Sequence, residues 1–380
     1  MSEWKEVELG EVCDLLDCLH KTPKYSEEGY PMVRVTDVKN GFLDSSDCLL
    51  VNKEVFTAFS KGYKPKVGDI VFTRVGSFGL SAIVKEEEEF CIGQNTTLLI
   101  PKTIDPFFIF YYLIGQDARF QIEGLAGGST QPTISMATIR KIVVPYPSVT
   151  EQRTIAAVLS SLDNKIDLLH RQNKTLEQMA ETLFRQWFVE EADDGWEEGP
   201  LGDVIDIFDN KRIPLSKMRR NKMKEGKLYP YYGAASVMDF VNDYIFDGEY
   251  ILLGEDGTVR TDEGYPILQY ATGKFWVNNH THIIQAKAPY NNFFIWNYLS
   301  RKNIDRIVTG AVQPKINQTN LKSLEFPIYP NKLIDEFIEI TNSQFEKMNK
   351  NKSQIRALEK MRDTLLPKLM SGEVKVSIDG

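Results

Sequence analysis

Apolar residues recur every seven positions through the middle of the chain, at Ile155, Leu162, Leu169, Leu176 and Leu183. Leu159 and Ile166 form a second line, interrupted by Asn173 and then Ala180. No Pro or Gly falls within residues 150–188, so the spacing predicts one long coiled-coil helix. At ~1.5 Å per residue it would extend roughly 55–60 Å. A second stripe, Phe337, Phe345, Met348, Ile355, Leu358 and Leu365, predicts a helix of similar length over residues 333–366. Neither helix can bury its stripe alone, and each is the natural cover for the other. Leu159, Leu162, Ile166, Leu169 and Leu176 are expected to meet Met348, Ile355, Leu358 and Leu365. Asn173 and Asn351 are either polar breaks that fix register or ordinary exposed positions.

Ahead of each helix the period shortens. "YPMVRVTDVKNGF" alternates apolar and polar residues and ends in a turn-forming Asn40-Gly41. Residues 68–84, "GDIVFTRVGSFGLSAIV", read as two strands around a glycine-containing turn, and "GEYILLGEDGTVR" places Asp256-Gly257 equivalently in the second half. The succession is a duplication. "WKEVELGEVCDLLD" from Trp4 and "WEEGPLGDVIDIFD" from Trp196 agree at seven of fourteen positions. "FFIFYYL" (Phe107 to Leu113) returns as "FFIWNYL" (Phe293 to Leu299), and "TQPTISMATIRKIVVPYP" from Thr130 as "VQPKINQTNLKSLEFPIY" from Val312. The offset drifts from 192 to 186 to 182, as loop insertions between two equivalent domains would cause. The expected fold is α+β: two similar globular domains, 1–149 and 191–332, separated by a first spacer helix at 150–190 and a second with the C-terminal tail at 333–380. A pseudo-twofold relation would make the helices antiparallel. The middle of each half does not match.

At 380 residues the chain suits two domains. The four cysteines, Cys13, Cys18, Cys48 and Cys91, fit neither a disulfide framework nor a zinc module. Cys18 and His20 are close, but no second ligand pair accompanies them, and no metal is expected. Neither a signal peptide nor an apolar run of about 18 residues is visible, and a reducing cytoplasm is the expected home. Net charge is −8, which by itself argues against a nucleic-acid partner. Its distribution argues the other way. Residues 210–227 hold eight basic residues against the single acid Glu225, while acids gather at Glu86 to Glu89 and in residues 189–198. Segregation of this kind suits a local anionic partner, a solvated basic loop being the other reading.

Taken together, the tandem "W…LG(E/D)V" openings, the paired "QP.I" segments and the two spacer helices resemble the specificity subunits of type I restriction–modification systems. "PYPSVTEQRTIAAVLSSLDNKID", "LFRQWFVE" and "LLPKLMSGEVKV" carry the resemblance too, which covers essentially the whole chain. It implies two target-recognition domains, each reading half of a split, asymmetric site in double-stranded DNA. It implies helices that set the spacing and dock two methyltransferase subunits, with restriction subunits joining the full complex. S-adenosylmethionine would belong to the methyltransferase, ATP and magnesium to the restriction partner, and no cofactor to this chain. The second repeat has "PNKLIDEF" where the first has "PSVTEQRT", so a symmetric role for Glu151 and Gln152 is not implied.

Candidate DNA contacts follow from the pairing rules: Arg suits guanine, Asn and Gln suit adenine, and Lys suits phosphate. In the first domain these are Arg34, Lys39, Asn40, Arg74, Ser77, Phe78, Gln94, Asn95, Ser129 and Thr130. Gln131 recurs as Gln313 before a proline and reads equally as a structural turn. In the second domain Lys211, Arg212, Arg219, Arg220 and Lys222 are phosphate candidates, joined by Tyr231, Tyr232, Thr258, Arg260, Asn278, Asn279 and His280. Core packing competes for the two tyrosines, and turn formation competes for the loop residues. His280 and His282 alternate as polar-face residues of a strand.

No Asn/Asp-Pro-Pro-aromatic motif, Gly-x-Gly cofactor loop or phosphate-binding G-x-x-x-x-G-K-[ST] loop is present. The chain reads as a non-catalytic DNA reader. A coiled-coil scaffold binding only proteins would explain the helices and net charge, but neither the basic cluster nor the divergent repeats.

Overall fold

The computed structural model describes residues 4–127, 133–193, 195–310 and 313–376. The chain divides into two compact units, Met1–His170 with Lys352–Gly380, and Arg171–Asn351.

In the first unit β1 (Lys5–Glu8), α1 (Leu9–Val12), β2 (Cys13–Asp17), β3 (Tyr30–Val33), β4 (Gly41–Phe42) and β5 (Leu50–Val51) come first. Next are α2 (Lys53–Ser60), β6 (Ile70–Thr73), β7 (Ser81–Ile83), β8 (Cys91–Ile92) and β9 (Thr96–Pro101). Then α3 (Pro106–Ile114), α4 (Gln116–Leu125), α5 (Met136–Arg140) and β10 (Val143–Tyr146) lead into the long helix α6 (Val149–Arg185). A mixed sheet has the order β2-β9-β6-β7-β4; β3 lies between β5 and β8, and β1 pairs with β10. Residues 68–84 form the expected antiparallel pair, Ile70 facing Ile83. Asn40-Gly41 makes no hairpin. Gly41 opens β4, a parallel partner of β7, and Asn40 Oδ1 accepts the Ser81 amide at 3.0 Å. Local alternation cannot announce a parallel partner that arrives from a later segment.

The second unit adds β11 (Glu198–Pro200), β12 (Ile205–Ile207), α7 (Lys217–Asn221), β13 (Tyr229–Tyr232), β14 (Val237–Val241), β15 (Phe246–Gly254) and β16 (Leu268–Val277). Then follow β17 (Thr281–Ala286), α8 (Asn292–Leu299), α9 (Gln318–Lys322), β18 (Glu325–Pro327) and the long helix α10 (Asn331–Met370). Its sheet runs β12-β17-β15-β16-β13-β14, and β11 pairs with β18. Both units thus mix helix with sheet.

The echoed segments are the joints of each unit. Leu9 N donates to Ile142 O at 2.8 Å, and Leu201 N to Leu324 O at the same distance. A Cβ on Gly10 would lie 2.9 Å from Arg140 Cβ, and one on Gly202 2.9 Å from Lys322 Cβ, so glycine alone lets the opening lie against the closing helical turn. The repeated "FFI" segments start α3 and α8, capped by Asp105 and Asn291. Gln152, fully buried, accepts the Asp105 amide at 2.8 Å and donates to Pro147 O at 2.9 Å. Its counterpart Ile334 fills the same kind of buried position with hydrocarbon, which is why the sequences differ there.

Within the first unit the beginning of α6 runs antiparallel to the end of α10. Asp163 pairs with Arg362 at 2.9 Å, and Ile166 and Leu169 pack on Ile355 and Leu358. Within the second, Ala180 packs with Phe345, and the Phe184 and Phe188 rings lie 5.7 and 5.3 Å from Phe337. Asn173 and Asn351 are not ordinary exposed positions: both are buried, and Asn351 Nδ2 donates to Asn173 Oδ1 at 2.9 Å. The seam differs from the heptad expectation in one respect. Leu162, Leu176 and Leu183 are half-buried, while Leu159, Ile166, Leu169, Ala180 and Phe184 are buried. At 3.6 residues per turn the stripe drifts, and each helix packs against its own globular domain as well as its partner. Met348 is buried, whereas Leu365 lies at the margin of the first core.

Candidate nucleic-acid interface

In the first unit several strand ends meet at one edge. β2 ends at Asp17 opposite Thr97, and β6 ends at Thr73 opposite Thr96. The loop after β8 returns to β3 through Gly93 N on Val33 O at 2.8 Å. Arg74 binds these loops together: its N–H donates to Asn95 O at 2.8 Å, and its carbonyl accepts from Ile134 N at 3.0 Å. The Arg74 guanidinium pairs with Asp17 at 2.5 Å, and His20 contacts the same carboxylate at 3.2 Å. Burial works to raise the Asp17 carboxyl, but His20 and Arg74 override it and hold the group below its ordinary value. Lys61 Nζ donates to the Asp17 and Cys18 carbonyls at 2.8 and 3.0 Å.

The second unit frames the equivalent edge of its own sheet with other side chains. β12 leads to Asp209, β15 to Glu255, and Gly254 stands opposite Thr281 at the start of β17. Ile316 N donates to Glu255 O at 2.8 Å, as Ile134 N does to Arg74 O. Here the framed residue is an acid. Glu255 accepts from Arg212 at 2.5 Å and pairs with Lys315 at 3.3 Å. His282 Nδ1 lies 2.6 Å from Asp209 Oδ2, and Gln318 Nε2 donates to that oxygen at 2.7 Å. Burial would raise Asp209, but His282, the Ile283 amide and Arg212 outweigh it and lower the group. Two sets of potential metal ligands occur among the described residues, Asp17/Cys18/His20 and Asp209/Glu255/His282. In both, arginine or lysine already neutralises the carboxylates, so each reads as an ion-pair network.

The basic stretch forms the turn around α7. Ser216 caps the helix, and Lys217, Arg219 and Lys222 are exposed with no ion pair among the described residues. Arg220 is held by Asp239 at 2.9 Å and by Leu215 O at 2.7 Å, over the Tyr231 ring. Lys224 also pairs with Asp239. Its hydrogen bond, together with that of Arg220, depresses the Asp239 carboxyl to about 2. A depressed carboxyl stabilises the fold above its unfolded value and loses that contribution as pH falls toward the folded value. The Asp239→Asn variant should therefore show a smaller loss of urea midpoint than the parent between about pH 4 and pH 2. Equal losses would show that Asp239 does not anchor the turn.

Of the proposed contacts, Lys39, Asn40, Ser77, Gln94, Asn95, Lys211, Arg219, Lys222, Thr258, Arg260, Asn279 and His280 are exposed. Lys211 stands over Phe208, Arg260 pairs with Asp305, and His280 with Asp256. Phe78 is half-buried beneath Arg119. Ser129, Thr130 and Gln131 lie outside the described residues. Several expectations need correcting. Tyr231 is 1% exposed, and its hydroxyl accepts the Leu215 amide, so its ring reads nothing. Tyr232 is not among the corrections: it packs edge-on against Phe275 but stays half-buried, with part of its side chain at the surface. Asn278 is buried and caps the turn before β17 by accepting the His280 amide. His282 is a buried network member, not a polar-face residue. Arg34 is bound two-pronged to Asp37, so its guanidinium is already occupied. Arg74, Arg212 and Arg220 are likewise committed, to Asp17, Glu255 and Asp239. The sequence reading missed Lys61, which caps α2 in a left-handed conformation, and Lys315 beside the second edge. The Lys-Gly pair after a short amphipathic helix was the available signal for Lys61.

A duplicated frame with two different linings is the architecture of a two-domain recognition protein. A family profile described as "Type I restriction modification DNA specificity domain" matches residues 1–178 and again 193–359. The chain belongs to that family and is a DNA-recognition chain. The MjaIX specificity subunit of Methanocaldococcus jannaschii, a type I restriction enzyme component, is 27% identical over 350 residues, covering 81% of this chain and 78% of that one. A putative MjaX specificity subunit from the same organism is 25% identical over 413 residues, covering 97% and 94%. The crystal structure of a type I restriction–modification S subunit from M. genitalium shares the fold, with TM-score 0.60, 19% identity and 96% of each chain covered. No helix among the described residues is long and apolar enough to cross a membrane.

Proposed function

We propose that this chain is the specificity subunit of a type I restriction–modification complex and that each strand-end edge reads one half of a bipartite, asymmetric site in double-stranded DNA. The recognition domains are residues 1–149 and 191–332, with 150–190 and 333–380 as spacer helices. The helices, paired as an antiparallel coiled coil about a pseudo-twofold axis, set the distance between half-sites and dock two methyltransferase subunits. Restriction subunits complete the assembly in the cytoplasm. The chain itself performs no catalysis and holds no cofactor. S-adenosylmethionine acts in the methyltransferase partner, and ATP with magnesium in the restriction partner.

The carrying observation is the contrast between scaffold and lining. Ile134 and Ile316 clamp the two edges with the same hydrogen bond, yet the clamped residues are Arg74 and Glu255. The exposed side chains beside them differ too, Gln94 and Asn95 at the first edge and Asn279, His280 and Lys315 at the second, and different side chains suit different patterns of base-edge groups. The free cations of α7 supply phosphate contacts, which fix register without reading sequence. Exchanging residues 20–130 for the matching part of a relative should change one half of the methylated motif, read by methylome sequencing. If both halves change, the domains do not read independently.

A further inference from the structure

The two long helices repeat one another, yet their faces are not interchangeable. α6 starts at Val149 and α10 at Asn331, so equivalent positions lie 182 residues apart. Burial keeps the same offset: Ile155/Phe337, Leu159/Thr341, Asp163/Phe345, Ile166/Met348, Leu169/Asn351 and Asn173/Ile355 are buried in both helices. Such a chain can cover its helices in two ways. One is α6 against α10. The other, in two exchanged copies, is α6 against α6 and α10 against α10.

The observed contacts join compatible partners. In the first unit Leu169 packs with Ile355, and Asp163 pairs with Arg362 at 2.9 Å. In the second unit Asn351 donates to Asn173 at 2.9 Å, and Ala180 packs with Phe345. Moving one partner by the offset gives the contacts of like helices. α6 on α6 sets Leu169 against Asn173 and Asp163 against Ala180. α10 on α10 sets Asn351 against Ile355 and Phe345 against Arg362. Each matched pair becomes a mismatch, and symmetry repeats it. Asp163 is further committed by Tyr111, whose hydroxyl donates to it at 2.8 Å, whereas the second repeat has Asn297 in place of Tyr111.

We propose that each long helix presents a face that fits the other helix and rejects a copy of itself, so that the two recognition domains of one chain stay combined and do not recombine with those of a second copy. A single buried asparagine in a helical seam is known to specify register and partner number in this way. The seam here extends that device to four crossings. It does not depend on which bases either edge reads.

The test uses the full chain with a protease site introduced among the exposed residues 191–193, purified intact and then nicked. Nicked preparations of light and heavy isotope content are mixed in urea until their halves scramble, returned to buffer and weighed by native mass spectrometry. Pairs of unlike halves should exceed pairs of like halves by roughly 100-fold or more, because each stranded amide disfavours the like pair about tenfold. The double variant Asn173→Leu/Asn351→Leu should raise the like pairs by about tenfold or more. Like pairs in statistical proportion with the unmodified seam overturn the proposal. A second measurement uses the unnicked chain: Asn173→Leu and Asn351→Leu should each lower the urea midpoint, and the double variant should recover it. A double variant less stable than either single one overturns the matched-pair basis.

Discussion

With Lys217, Arg219 and Lys222 all replaced by glutamate, the assembled complex is expected to bind DNA more weakly and with a flatter dependence on salt. These are the cations of the α7 turn that no acid neutralises among the described residues. Each lost phosphate contact removes roughly 0.9 unit from the log–log salt slope, so the triple variant should lose up to about 2.7 units. Arg220 is left out because Asp239 and the Leu215 carbonyl hold it against the Tyr231 ring. Its replacement would disturb the turn and confuse affinity with folding. Binding isotherms across a salt series decide the matter. A slope equal to the parent's would place this turn away from the duplex.

The second large effect concerns stability. Phe184→Ala should destabilise the second unit by about 3–5 kcal/mol, the usual range for emptying a buried aromatic site. Phe184 is 2% exposed and meets Phe188, Phe294 and Phe337 with ring centroids 4.9, 5.2 and 5.7 Å away. Leu183→Ala, one residue earlier, should cost distinctly less, because Leu183 is only half-buried at the edge of that cluster. The heptad pattern taken alone ranks them the other way, since it places Leu183 on the seam. Urea midpoints for the two variants separate these expectations, and a larger loss at Leu183 would restore the heptad assignment.

The duplication, the two long helices and the family were legible because each rests on spacing along the chain. A seven-residue apolar repeat free of Pro and Gly has few solutions other than a paired helix. The recurring Leu-Gly and Gln-Pro-x-Ile segments were equally visible, though their cause was not. Gly10 and Gly202 recur because Arg140 and Lys322 leave no room for a Cβ. Ile134 and Ile316 recur because each clamps a strand-end loop. The basic stretch was legible as a cluster, because eight of the residues 210–227 are Lys or Arg.

The tertiary structure alone decided which polar residues are available to a partner. Arg74, Arg212 and Arg220 look identical in sequence to Arg219, yet each meets a carboxylate, and Asp17, Glu255 and Asp239 come from other segments of the chain. His282 and Tyr231 belong to polar-looking loops and strands, but packing from several elements buries both. Asn173 and Asn351 become a hydrogen-bonded pair only because antiparallel helices bring together residues 178 positions apart. Spacing fixes a residue's neighbours on its own helix or strand. Its ion pair, its burial and its crossing partner depend on segments that meet only when the chain folds, because charge and desolvation act through space and take no account of sequence distance.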